Sequence, residues 1–210
     1  MTTTTIRTVG LDSARGKTVS TRAVRLAGLA VSLGSLTWAA TLFLVGPISA
    51  SPLGTMLGDL GGLAFQLSLF GLLAVQERTR ATGRGRFWPA AFIVERVLLS
   101  LAIAWSVLHA FWPQLPFLPV LDLFWPLSML GMFVIGVLIA VKGVWRGVLR
   151  VWPLVAESWA VVCVPALAIA GQYVGAWLPG THLLVGYVAL GALLALRPGA
   201  TGASDAGANR

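Results

Sequence analysis

Residues 87–112 read FWPAAFIVERVLLSLAIAWSVLHAFW, and this stretch decides how the rest of the chain is taken. It is long enough to cross a bilayer as a helix, at ~20 apolar residues for a hydrocarbon core of ~30 Å. Tryptophans stand near both of its ends, where amphipathic rings favour the headgroup layer. Glu95 and Arg96 nevertheless sit side by side within the apolar run. Ionisable groups at that depth need a protein-lined or wet surrounding, so other helices must pack around this one.

Working outward, composition agrees. Of the 210 residues, 57% are hydrophobic and 10% charged. A soluble domain carries about 25% charged residues. With so little polar surface, lipid must cover part of the chain. Five further apolar runs accompany the first, giving expected spans at 24–45, 54–76, 88–112, 123–141, 152–174 and 180–196. The sixth is the shortest and has room to start near Ala176. The runs are continuously apolar instead of alternating, which argues against a β-barrel. Backbone groups in lipid must then be satisfied within helices. The first run is too long for a cleaved signal peptide and is read as a retained span. Residues 1–23 and 197–210 read as polar cytoplasmic tails without fixed structure. The fold class is therefore an all-α, six-span transmembrane bundle.

The basic residues supply the orientation. They fall before or at the start of the first span, between spans two and three, between four and five, and after six; Arg96 is the single exception. The links 46–53, 113–122 and 175–179 hold no Lys or Arg. The positive-inside rule then puts both termini in the cytoplasm of a cell with this protein in its cytoplasmic (inner) membrane. The net charge of +8 is distributed in these short clusters, which excludes a nucleic-acid-binding face. Cys163 is the only cysteine, so no intrachain disulfide, CxxC pair or zinc-thiolate site is possible.

Smaller features refine the picture. Trp-Pro recurs at 88–89, 112–113, 125–126 and 152–153, each near an expected membrane edge. The starts of spans three and five, WPAAFIVE and WPLVAE, hint at a duplicated hairpin. Gly54, Gly58 and Gly62, Ser35 and Ala39, and Gly136 and Ala140 repeat at every fourth residue. Such faces permit close helix approach, either inside one bundle or at a homo-oligomer seam.

The groups able to carry chemistry lie at two depths. Toward the cytoplasmic side are Glu95, Arg96 and Glu157, with Glu95 ~10 Å beyond Trp88 and Glu157 ~8 Å beyond Trp152 along their helices. Neighbouring helical residues point about 100° apart, so Arg96 is expected to reach Glu157 while Glu95 faces elsewhere. Glu95, Ala102, Ser106 and His109 share one face of the third span, and Gln66 is expected to point at the same interior. Glu95, Arg96, Glu157, Ser106 and Gln66 thus form a candidate substrate or proton site. Toward the outer side lie Asp59, His109, Asp122 and His182, with Asp122 placed to cap the fourth span.

No GxSxG, Walker, GxGxxG, HExxH or EF-hand sequence occurs. The expectation is a non-enzymatic, permease-like carrier or the membrane subunit of a larger assembly, with no cofactor and with membrane lipids as its surroundings. The alternative is a membrane-embedded enzyme acting on a lipid or isoprenoid, with the outer four residues around a metal such as zinc. A haem between His109 and His182 is a further use of the two imidazoles. A hollow reaching Glu95 would favour transport; dry packing around an Arg96–Glu157 contact would favour a structural role.

Overall fold

The fold is taken from a computed structural model that describes residues 19–175 and 177–205. Of the expected tail at 1–23, residues 1–18 lie outside the described residues, as do 206–210, while residues 21–23 already belong to the first helix. Six helices are long and apolar enough to cross a membrane: α1 (Thr21–Val45), α2 (Pro52–Arg78), α3 (Trp88–Phe111), α4 (Leu118–Lys142), α5 (Trp152–Gly171) and α6 (Trp177–Leu196). No strand occurs among the described residues. The chain is an all-helical, multi-pass membrane protein.

Local chemistry explains the helix ends. Ser20 and Ser51 cap α1 and α2, their hydroxyls accepting the backbone N–H of Ala23 at 3.2 Å and of Gly54 at 3.0 Å. Proline lies in the first turn of α2, α3, α4 and α5, where its missing N–H costs nothing. Gly143 closes α4 at φ 63°, a backbone conformation open to glycine.

Besides the earlier start of the first span at Thr21, the last three spans differ from the sequence reading. The fourth span starts at Leu118 instead of 123, with Pro119 in its first turn and a break at Leu123. Asp122 therefore ends that opening turn and does not cap the span. The fifth breaks at Ser158 and, beyond Pro165, loses helical geometry at Ala170 (φ −132°, ψ 28°). The sixth takes the earlier start, at Trp177, and carries a π-turn at Leu184–Val188.

The helices pack in chain order around a ring that α6 closes against α1. Small residues set the tightest crossings. A Cβ at Gly28 would stand 2.5 Å from the Gly191 carbonyl, and one at Gly34 would stand 2.7 Å from that of Ala64. Ser35 and Ala39 are buried, Gly54 packs against Val45, and Gly136 packs on α5. Gly58 alone of its row faces open space. Large apolar side chains such as Leu44, Ile48, Ile93, Val141 and Ile169 cover the outside, as lipid requires.

The bundle has two chemically distinct ends. Trp145 Nε1 donates to Thr79 Oγ1 at 2.9 Å, Arg146 N–H to the Ala200 carbonyl at 2.9 Å, and Ser204 N–H to the Val19 carbonyl at 3.0 Å. These bonds gather both described termini and both arginine-bearing links at one end. The links without Lys or Arg meet at the other. Residues after Arg197 are thus ordered through Asp205, contrary to a structureless tail: a 3-10 turn at Pro198–Thr201 leads to Asp205, which accepts the Thr21 N–H at 3.0 Å and its hydroxyl.

Candidate functional site

α3 places Glu95, Ala102 and Ser106 on its buried face, as the spacing predicts. Glu95 is 3% exposed and accepts a hydrogen bond from Ser128 Oγ of α4 at 2.6 Å. Its other oxygen rests on Gly131, where a Cβ would land on the carboxylate. α5 contributes Glu157, fully buried, which accepts from Gln76 Nε2 of α2 at 2.6 Å. Its Oε2 lies against Gly136, where a Cβ would stand 2.5 Å away. Two carboxylates from different helices thus use glycines five residues apart on α4 as their floor. The Tyr187 hydroxyl is buried as well, without a hydrogen-bond partner among the described residues.

Arg96 does not reach Glu157. It pairs instead with Glu77, at the end of α2, at 2.5 Å, and both side chains are about a third exposed. The reason is direction: with Glu95 aimed inward, Arg96 is turned toward the rim, where the last turn of α2 offers a carboxylate. Among the described residues, neither Glu95 nor Glu157 has a Lys or Arg partner. Burying a charge without a partner costs several kcal/mol, so these two groups stand out against the rest of the interior.

A second polar region opens at the arginine-free end. A cavity of about 1130 Å³ is lined by residues of all six spans, with Asp59, His109 and Asp122 near its mouth and the buried Gln66 and Ser106 also in its wall. His109 Nδ1 is 2.7 Å from Asp59 Oδ2, and the imidazole stacks on Trp105 at 4.8 Å. Ser106 Oγ donates to Gln66 Oε1 at 2.9 Å, leaving the buried Gln66 Nε2 without a partner among the described residues. Gln66 does point into the interior with Ser106. These two belong to this cavity; Glu95, eleven residues before Ser106 on α3, is not in its lining. That separation is ~16 Å of helix. The hollow expected of a transport path thus stops short of Glu95, and the Arg96–Glu157 contact expected of a structural role is not formed either.

The outer four do not assemble. His182 leaves the group: its Nε2 meets Ser158 Oγ at 3.1 Å and its ring lies near Gly186. No three His, Cys, Asp or Glu side chains converge as metal ligands among the described residues. His109 is engaged by Asp59 and His182 by Ser158. Sequence reading missed Gln76, Glu77, Ser128 and Tyr187. Gln76 and Glu77 were legible as polar residues at the depth of Glu157, whereas Ser128 and Tyr187 gave no signal beyond being polar in an apolar run.

Fold and site together define a class: a six-span helical membrane protein with a buried carboxylate pair and a one-ended cavity. Compared with known proteins, the chain matches no family model, no curated protein and no solved structure.

Proposed function

We propose that the chain is a small permease-like carrier in the cytoplasmic membrane, its basic end toward the cytoplasm and its cavity toward the outside. The observation carrying this reading is the buried pair Glu95 and Glu157 without a cationic partner among the described residues. A buried carboxyl group is tolerated only when it is paired, bound to a cation or protonated. Here neutrality is left to a proton or a bound cation, which is what a coupled carrier exchanges. The cavity supplies the approach from one side, down to Gln66 and Ser106. The packed layer between them and Glu95 then acts as the closed gate of this state. Arg96 and Glu77 brace the cytoplasmic rim instead of forming part of the path.

The test is proton flux in proteoliposomes carrying an internal pH-sensitive dye. Purified protein is expected to dissipate an imposed proton gradient, and Glu95→Gln is expected to abolish that flux at unchanged abundance and melting temperature. Lower abundance or melting temperature with flux per molecule intact would make Glu95 a structural residue and end the carrier reading.

A further inference from the structure

The cavity has a composition that selects by charge and shape. No Lys or Arg lines it among the described residues, while Asp59 and Asp122 stand at its mouth. His109 engages Asp59, and Asp122 has no side-chain hydrogen bond among the described residues. One wall is aromatic: Trp38, Trp125 and Trp159, from three helices, lie 5.0 to 5.5 Å apart ring to ring. Gln66, 1% exposed, contributes to the cavity wall, and its Nε2 has no hydrogen-bond partner among the described residues. Asp59 and Gln66 are two turns apart on one face of α2, ~10 Å along the axis.

An anion would meet two carboxylates here, and a neutral apolar molecule would leave Gln66 unsatisfied. A cation is attracted by the acids and by the faces of indole rings, the best aromatic partners for an ammonium group. We propose that this cavity binds a lipophilic organic cation: its ammonium head at Asp122 and Asp59, its aromatic body on the tryptophan wall, and an acceptor oxygen on Gln66 Nε2. In naming the substrate class the proposal rests on the carrier reading for its role in transport, but binding itself does not depend on that reading.

The probe is (4-benzoylbenzyl)trimethylammonium, which carries a cation and a ketone on one aromatic frame; its anionic counterpart is 4-benzoylbenzoate. Both are titrated into the purified full chain in detergent by equilibrium dialysis, then photolysed to map the attachment. The cation is expected to saturate a single site and to attach to cavity-lining residues of α1 to α4, while the anion does neither. Asp122→Asn, at a carboxylate with no side-chain hydrogen bond among the described residues, is expected to leave the melting temperature unchanged and weaken the cation by about tenfold, and Gln66→Leu by a smaller factor. Equal binding of both ions, or cation binding indifferent to Asp122→Asn and Asp59→Asn alike, would overturn the proposal. Cation binding with no Glu95-dependent flux upholds this site and removes the carrier reading; flux without cation binding does the reverse.

Discussion

At the scale of single residues, the polar interior is a set of pairwise partnerships whose energies can be separated. Arg96 and Glu77 are partly solvated, so their coupling is expected to be no more than about 1 kcal/mol in a double-mutant cycle. The same cycle on Arg96 and Glu157 is expected to give no coupling, because those side chains do not meet. Gln76 is different, since its amide is the only side-chain donor to a fully buried carboxylate among the described residues. Gln76→Leu is expected to destabilise by about 1–3 kcal/mol, the cost of a buried polar group left unsatisfied, read as a lower melting temperature. Glu157→Gln in the same background should recover part of that loss, because an amide costs less to bury than a carboxylate.

At the scale of elements, α4 earns its place by being smooth where the acids press on it. Gly131→Ala puts a methyl on the Glu95 carboxylate, and the carboxylate is held by Ser128. Thermal denaturation is expected to show a loss of about 1–3 kcal/mol, the usual cost of overpacking. Gly58→Ala on α2 is the internal comparison, because a Cβ there meets nothing within 4 Å. It is expected to leave stability unchanged or raise it slightly, since alanine favours the helix by roughly 0.8–1.0 kcal/mol over glycine. Gly58 belongs to a repeat of small residues and Gly131 does not, so only the packing tells which glycine is needed.

Taken whole, the molecule is two-ended, and both ends are testable. With Cys163→Ala as background, cysteines introduced at Ala50 or Pro116 are expected to react with a membrane-impermeant maleimide in intact cells, while one at Gly83 reacts only after lysis. Labelling of Gly83 alongside Ala50 would contradict the segregated links. The basic end also holds a pH-dependent lock. Hydrogen bonds from the Thr21 hydroxyl and N–H hold the Asp205 carboxyl below its ordinary value of 3.8. A carboxylate with a lowered folded-state value contributes stability that is present above its unfolded value and lost as pH falls through the folded one. Docking of residues 203–205 on the start of α1 is thus expected to persist at neutral pH and to loosen only in strong acid, while Asp205→Asn loosens it at every pH. Hydrogen exchange at the Ser204 amide, bonded to the Val19 carbonyl, reads both.

What the sequence determined by itself is the number of crossings and the separation of basic from non-basic links, because hydropathy and charge add up along a run without reference to its neighbours. It also placed Glu95, Ala102 and Ser106 on one buried face, since helical periodicity is local. The tertiary structure decided who meets whom: Arg96 with Glu77 and not Glu157, Glu157 with Gln76, Glu95 with Ser128 and Gly131, His182 apart from Asp59, His109 and Asp122. Each of those meetings depends on the rotation and depth of two or more helices at once. The glycines that set those rotations act only when a second backbone is pressed against them.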